Sequence, residues 1–167
     1  MNSREQTAPE VLQTLTNVIS PKSRWTAEAI ANFLTGSLLP MRISTVNAKG
    51  YPQITSLWFS FRHGQFLCCT QPESLVCRHI RANSRVGFEI AVNDPPYLGV
   101  SGQGDARIVK GDTNALLQEL TSRYLKDRDP RLKDWLISRA ATEVIIAVEP
   151  QRITSWDFRQ RMTAPHD

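Results

Sequence analysis

RISTVNAKGYPQITSLWFSFRHGQFLCCT, residues 42 to 70, alternates apolar and polar side chains through strand-length runs broken by turn residues. From Met41 the period is two: Ile43, Thr45 and Asn47 alternate with Arg42, Ser44 and Val46, the pattern of a half-buried strand. NAKG makes a hairpin turn into a long strand predicted from Pro52 to Phe61, RHG turns again, and Gln65 to Cys69 returns. Strands joined by such short turns must be antiparallel, because a parallel pair needs a crossover of about a dozen residues or more. A three-strand meander is the expectation, with an exposed edge that is either bare or a shelf for a ligand.

Working outward, Thr7 to Glu10 reads TAPE, a capping box ahead of Val11, Leu12, Leu15, Val18 and Ile19 on one helical face. A second helix starts after Thr26 and ends near Gly36. Beyond the meander, Ser74 caps a short helix to about Asn83, and Arg85 to Val92 reads as a fourth strand. A fifth strand spans about Tyr97 to Val109, where Gly99, Gly102 and Gly104 point to a bulge or a close backbone approach. Asp112 or Thr113 opens one helix, and another holds Leu132, Trp135, Leu136 and Ile137. Val144 to Val148 reads as a buried strand, a turn is predicted at Glu149 and Pro150, and Arg152 to Trp156 as the last strand. The predicted class is α+β, a six- to seven-stranded antiparallel barrel or sheet with flanking helices. A helical segment, 1–40, precedes a barrel domain, 41–167, within one folding unit.

The chain has 167 residues, 41% hydrophobic and 22% charged, a composition far from that of disordered segments. Its net charge of +4 suits an anionic small molecule, but the basic residues are interleaved with acids, as in RYLKDRDPRLKD. No nucleic-acid module accompanies them, and no partner of that kind is expected. The polar MNSREQTAPE start and the lack of a long apolar run predict a cytoplasmic protein with no membrane span. Cys68 and Cys69 are strand neighbours pointing to opposite faces, so they do not pair readily, and a disulfide framework is not expected.

Common active-site patterns are absent. His63, His79 and His166 have no metal-ligand spacing, and no metal site is predicted. Cys77 and His79, two apart on a helix, diverge. GVSGQG, 99 to 104, lies inside a predicted antiparallel strand and not between strand and helix, which excludes a dinucleotide loop. Trp58 and Trp156 read either as core or as stacking platforms for a planar ring. Arg78 and Arg81 follow the Ser74 cap, where a helix start favours phosphate, or else form a solvated face.

With the order of elements in place, residues 42 to 109 resemble the pyridoxamine 5'-phosphate oxidase-like family, the flavin-binding split barrels. The resemblance rests on RISTVNAKGYPQITSLWF, GQFLCCT, IRANSRVGF and PPYLGVSGQGDARI, with RITSWDF resembling the closing strand. It implies a Greek-key split barrel, a homodimer, and flavin mononucleotide (FMN) lying across the subunit interface. It further implies that Gln53, Thr55, Ser56, Leu57 and Trp58 line the flavin ring, and that Cys69, Thr70, Ser74 and Arg78 surround the ribityl phosphate. Trp156 would come from the partner's neighbourhood. The implied activity is oxidoreduction by hydride or electron transfer through the flavin, on a small molecule the residues do not identify.

The chain departs from the family pattern at four positions. Leu75 and Val76 stand where relatives place Arg or Lys after the serine, and Leu98 and Ser101 replace the arginines of a PPYRGVRG pattern. Arg78, His79 or Arg81 are the nearby groups able to compensate. The alternatives are a reductase using the deazaflavin F420, and a non-catalytic dimeric barrel that holds flavin or haem.

Overall fold

The computed structural model of the chain describes residues 8–126 and 128–162. The period-two run at Met41 becomes β1 (Met41–Val46), which buries Met41, Ile43 and Thr45 and turns Arg42, Ser44 and Val46 to the other side. β2 (Pro52–Leu57) pairs with it antiparallel, Ile43 opposite Thr55 and Thr45 opposite Gln53. The predicted strand from Pro52 to Phe61 then breaks. β3 (Ser60–Arg62) lies at the far edge of the sheet, paired with β4 (Gln65–Thr70). Phe59, Ser60 and Phe61 are buried one after another, which requires cover on both sides. A continuous strand beside β1, solvated on one side, does not offer that, so the chain crosses the barrel mouth at Trp58 and Phe59.

β5 (Arg85–Ala91), β6 (Leu98–Val109) and β7 (Val144–Asp157) complete an antiparallel sheet ordered β2-β1-β5-β6-β7-β4-β3. β7 is a second departure from the sequence reading: the expected turn at Glu149 and Pro150 is instead a bulge inside one 14-residue strand. Pro150 faces Gly104 where the register shifts. A proline with no N–H to give fits a bulge without ending the strand. The glycines of β6 serve the same crowding, since a Cβ on Gly102 would collide with the Arg152 carbonyl and the Phe88 ring, and one on Gly104 with the Glu149 carbonyl. The sheet curls until its two edges, β2 and β3, are joined by a two-residue connection yet unpaired, which is a split barrel.

Among the described residues five α-helices flank it: α1 (Ala8–Val18), α2 (Ala27–Gly36), α3 (Leu75–Ala82), α4 (Thr113–Leu125) and α5 (Pro130–Ser138). The caps follow the sequence: Thr26 Oγ1 accepts from Ala29 N, Ser74 Oγ from Cys77 N and Asp112 Oδ1 from Ala115 N. Thr7 and the side chain of Glu10, the capping box before α1, lie outside the described residues, as does His166.

The barrel interior holds Ile43, Phe59, Phe66, Phe88, Ile90, Val100 and Ile153, closed by Leu15 from α1 and Ile30 and Leu34 from α2. A second cluster lies on the outer side of β4 and β7, where Leu116, Leu120 and Tyr124 of α4 cover Trp58, Leu67, Cys69 and Ile145. No helix among the described residues is long and apolar enough to cross a membrane.

Candidate functional site

The register of the β1–β2 hairpin decides what faces the space beside β2. Gln53 and Thr55 stand opposite Thr45 and Ile43 and so point to the inner side of the curl, toward α3. α3 is amphipathic. Val76, Cys77 and Ile80 are buried against the barrel, while Leu75, Arg78, His79 and Ala82, spaced i, i+3, i+4 and i+7, form the other stripe.

Between this stripe and the hairpin run two cavities that share Leu75 and His79. One, of about 290 Å³, is lined by Thr45, Gln53, Ile54, Thr55, Val76 and the shared pair. The other, of about 570 Å³, continues past Arg78, Ala82 and Asn83 to Asn47 and Lys49. Together they form one groove with a mixed polar and apolar end at β2 and a cationic end at the hairpin turn.

Local chemistry holds that turn still. Asn47 Oδ1 accepts from Lys49 N at 2.9 Å and Tyr51 N at 3.1 Å, and Gly50 takes φ +84°, the left-handed region a glycine enters without penalty. Lys49 is thereby presented to the groove. Among the described residues neither Lys49 nor Arg78 has an acidic partner, so the cationic end keeps two uncompensated charges. His79 Nδ1 lies 2.9 Å from the Oγ1 of Thr45, itself 1% exposed, which pins the imidazole at the junction of the two cavities. Leu75, 54% exposed, gives the groove an apolar rim.

The sequence candidates do not all come together in one place. Gln53, Thr55 and Arg78 line the groove, and Ser74 stands at its α3 end as the cap. Leu57 packs on the barrel core, and Thr70 pairs with Val144 at the end of β4. Ser56 is on the outer side opposite Arg42, whose guanidinium bonds Glu89 and Asn93. Trp58 and Cys69 lie in the α4 cluster. Trp58 stacks on Tyr124 at 5.0 Å with the rings 2° from parallel. Burial, with the Glu143 charge adding to it, pushes the Cys69 thiol up to about 12, so it is no nucleophile at neutral pH. Trp156 pairs with Gly99, toward the opposite end of the barrel.

One of the departures from the family pattern, Val76, has a structural reading. Val76 is 3% exposed, so a cation there would be driven into the core. The cations one turn later, on the Arg78 stripe and on Lys49, occupy the available surface. Lys49 and Thr45 were not singled out from sequence. The only signal was the spacing of α3, which puts Arg78 and His79 on one stripe, combined with the hairpin that delivers a lysine to it.

No group of three or more His, Cys, Asp or Glu able to hold a metal occurs among the described residues. The groove combines amide and hydroxyl groups and apolar side chains at one end with two cations at the other.

A model of the pyridoxamine 5'-phosphate oxidase family matches residues 26–157. Among solved structures, a conserved hypothetical protein from Mycobacterium tuberculosis aligns with a TM-score of 0.73 and 22% identity, covering 89% of this chain and 94% of that one. An F420 reductase aligns with a TM-score of 0.56 and 28% identity, over 74% of this chain and 94% of that one. An FAD-binding protein from Mesorhizobium loti aligns with a TM-score of 0.58 and 17% identity, over 78% and 94%. No curated protein matches the chain. With a family match over residues 26–157 and the curled, unclosed seven-stranded sheet described above, the chain belongs to the pyridoxamine 5'-phosphate oxidase family.

Proposed function

We propose that the chain is an oxidoreductase that holds a flavin-type cofactor in the groove between β2 and α3. The observation that supports this is the continuous groove, apolar and hydrogen-bonding at Gln53, Ile54 and Thr55 and cationic at Arg78 and Lys49. The residues present suit such a group: two cations without acidic partners for its anionic end, and amide and hydroxyl groups beside an apolar rim for its ring. Gln53 and Thr55 would hold the ring, and Ser74, Arg78, His79 and Lys49 the tail. When bound, the ring itself supplies the hydride or electron transfer. The chain's own work is to orient it, exclude water and tune it through hydrogen bonds. No residue of the groove is needed as an obligatory acid or base.

FMN is the first reading. A second, F420, is favoured by two observations. The groove continues past the start of α3 to Lys49, longer than one phosphate requires. The F420 reductase also aligns at 28% identity. Both readings carry the family's homodimer, in which the partner's Trp156 would approach the groove.

Titrating the purified full chain with riboflavin, FMN and F420, followed by fluorescence, tests this. We expect FMN or F420 to bind at least tenfold more tightly than riboflavin. Arg78→Ala should weaken the anionic cofactor by roughly tenfold or more, the worth of one charge-assisted hydrogen bond, and leave riboflavin unchanged. The relative affinity of FMN and F420 chooses between the readings. If neither binds, or if Arg78→Ala weakens riboflavin as much as FMN, the assignment fails.

A further inference from the structure

A single histidine, His79, lines the groove among the described residues. Histidine is the side chain that ordinarily exchanges its proton between about pH 5 and 8. The ring of His79 is held on one side only. Nδ1 lies 2.9 Å from the buried Oγ1 of Thr45, while Nε2 has no protein partner among the described residues. Since the ring lines both cavities, Nε2 is the atom left for a groove ligand. A hydroxyl both donates and accepts. The Thr45 hydroxyl donates to Nδ1 when the imidazole is neutral and accepts from Nδ1–H when it is charged, so the contact survives either state and the ring stays in place.

The charges that face this ring are all positive. Arg78 stands beside it on α3 and Lys49 on the hairpin turn. β1 and β2 bring Thr45, Gln53 and Thr55, none of which is charged. Tyr51, the other titratable group of the hairpin, is 67% exposed and lines neither cavity. From β6, which also packs against α3, Asp105 is exposed, accepts from the Ser84 hydroxyl at 3.0 Å and lines a different cavity. No carboxylate lines the groove among the described residues. An anion seated there is therefore answered by Arg78, by Lys49 and by whatever charge the imidazole carries.

An opposite charge within hydrogen-bond reach favours the charged form of a titratable group. Linkage makes the effect reciprocal: what the anion does for the proton, the proton does for the anion. We propose that the groove takes up a proton together with its ligand, the anionic end of the cofactor binding with the His79 imidazole charged, so that cofactor affinity rises as pH falls through the histidine range. The proton comes from solvent and goes to the imidazole, which then donates from Nε2 to the anion and from Nδ1 to Thr45. This rests on the cofactor reading above and adds a regulation to it: retention of the cofactor would follow the pH of the surroundings.

The test is calorimetric titration of the full chain with FMN, or with F420 if FMN does not bind, near neutral pH in Mops and in Tris. The two buffers differ in ionisation enthalpy, so the difference in heat counts the protons taken up. The parent is expected to take up roughly half a proton or more per ligand, and to lose affinity on going from about pH 6.5 to 8.5 by no more than about tenfold per pH unit, the limit for one coupled proton. A phosphate titrates near pH 6 in its own right, so the quantity that counts is the difference between parent and variant. His79→Gln keeps a hydrogen-bonding group for Thr45 but has no proton to exchange. It should bind the ligand with most of the uptake and most of the pH slope gone, and with an unchanged melting curve. A second measurement needs no variant: the imidazole resonances of His79, followed against pH, should titrate at higher pH with the ligand bound than without it. If the ligand binds without proton uptake, if His79→Gln takes up as much as the parent, or if the His79 titration does not move, the inference fails and the cofactor reading stands. If neither FMN nor F420 binds, both fail.

Discussion

β3 and β2 are the two edges of one sheet, joined by only Trp58 and Phe59, and they meet opposite surroundings. β3 is sealed. Ser60 and Phe61 are 2% and 6% exposed, the Ser60 hydroxyl bonds Glu119 of α4, and Arg62 pairs with the same carboxylate at 3.3 Å. Tyr124 of α4 accepts from Phe59 N at 3.3 Å and donates to the Leu39 carbonyl at 3.2 Å, and Arg123 caps the end of α2 through the Leu34 and Ser37 carbonyls. β2 has no such cover: Pro52, Gln53, Ile54 and Ser56 are all exposed. An exposed edge invites association and is normally blunted. Here the edge left uncovered is the one that borders the groove, so α4 carries stability at one edge while the other stays exposed.

The contrast is broken most severely from inside the sealed half. Phe66 of β4 is fully buried and touches three rings, those of Phe59, Phe61 and Phe88, at 5.4, 4.8 and 4.9 Å between centres. Phe66→Ala should destabilise the chain by about 3 to 5 kcal/mol in urea unfolding, and a loss under about 1 kcal/mol would mean that β3 and β4 do not pack as described. Next in size is Tyr124→Phe, which keeps the stacking on Trp58 but leaves the buried Phe59 N–H without the hydroxyl. A loss of about 1 to 3 kcal/mol is expected by the same measurement, and an unchanged midpoint would show that the hydroxyl does not hold the crossing. The smallest effect belongs to the open edge. Ile54→Thr should shift stability by no more than about 0.5 kcal/mol, as at a surface position. A large loss of stability in dilute monomer would show that β2 is already covered.

Much of the fold was legible. Alternation located β1 and β4, Ser74 and Thr26 marked helix starts, and the Val144 run read as buried, because period and capping are local properties. Two places were not legible. The break after Leu57 depends on Tyr124 of α4, 65 residues beyond Phe59, arriving to bury it, so the local pattern continued the strand to Phe61. Glu149 and Pro150 carried a turn signal that the ladder with β6 overrode by placing the proline at a bulge. For the site, Arg78 and Gln53 were readable from spacing and resemblance. Lys49 was not, since its place depends on where the hairpin comes to rest against α3.

By itself the sequence determined the strand periods, the helix caps, the barrel class and a stripe of cations on α3, all of which follow from interactions between residues near one another in the chain. Only the tertiary structure decided that Trp58 and Phe59 carry the chain from one edge of the sheet to the other, that Lys49 and Arg78 share a groove, and that Arg24 lines one cavity with Arg159 and Arg161 from the far end of the chain. Those juxtapositions are set by the curl of the sheet and by which apolar faces must be buried against each other, and no local pattern encodes a distance in space.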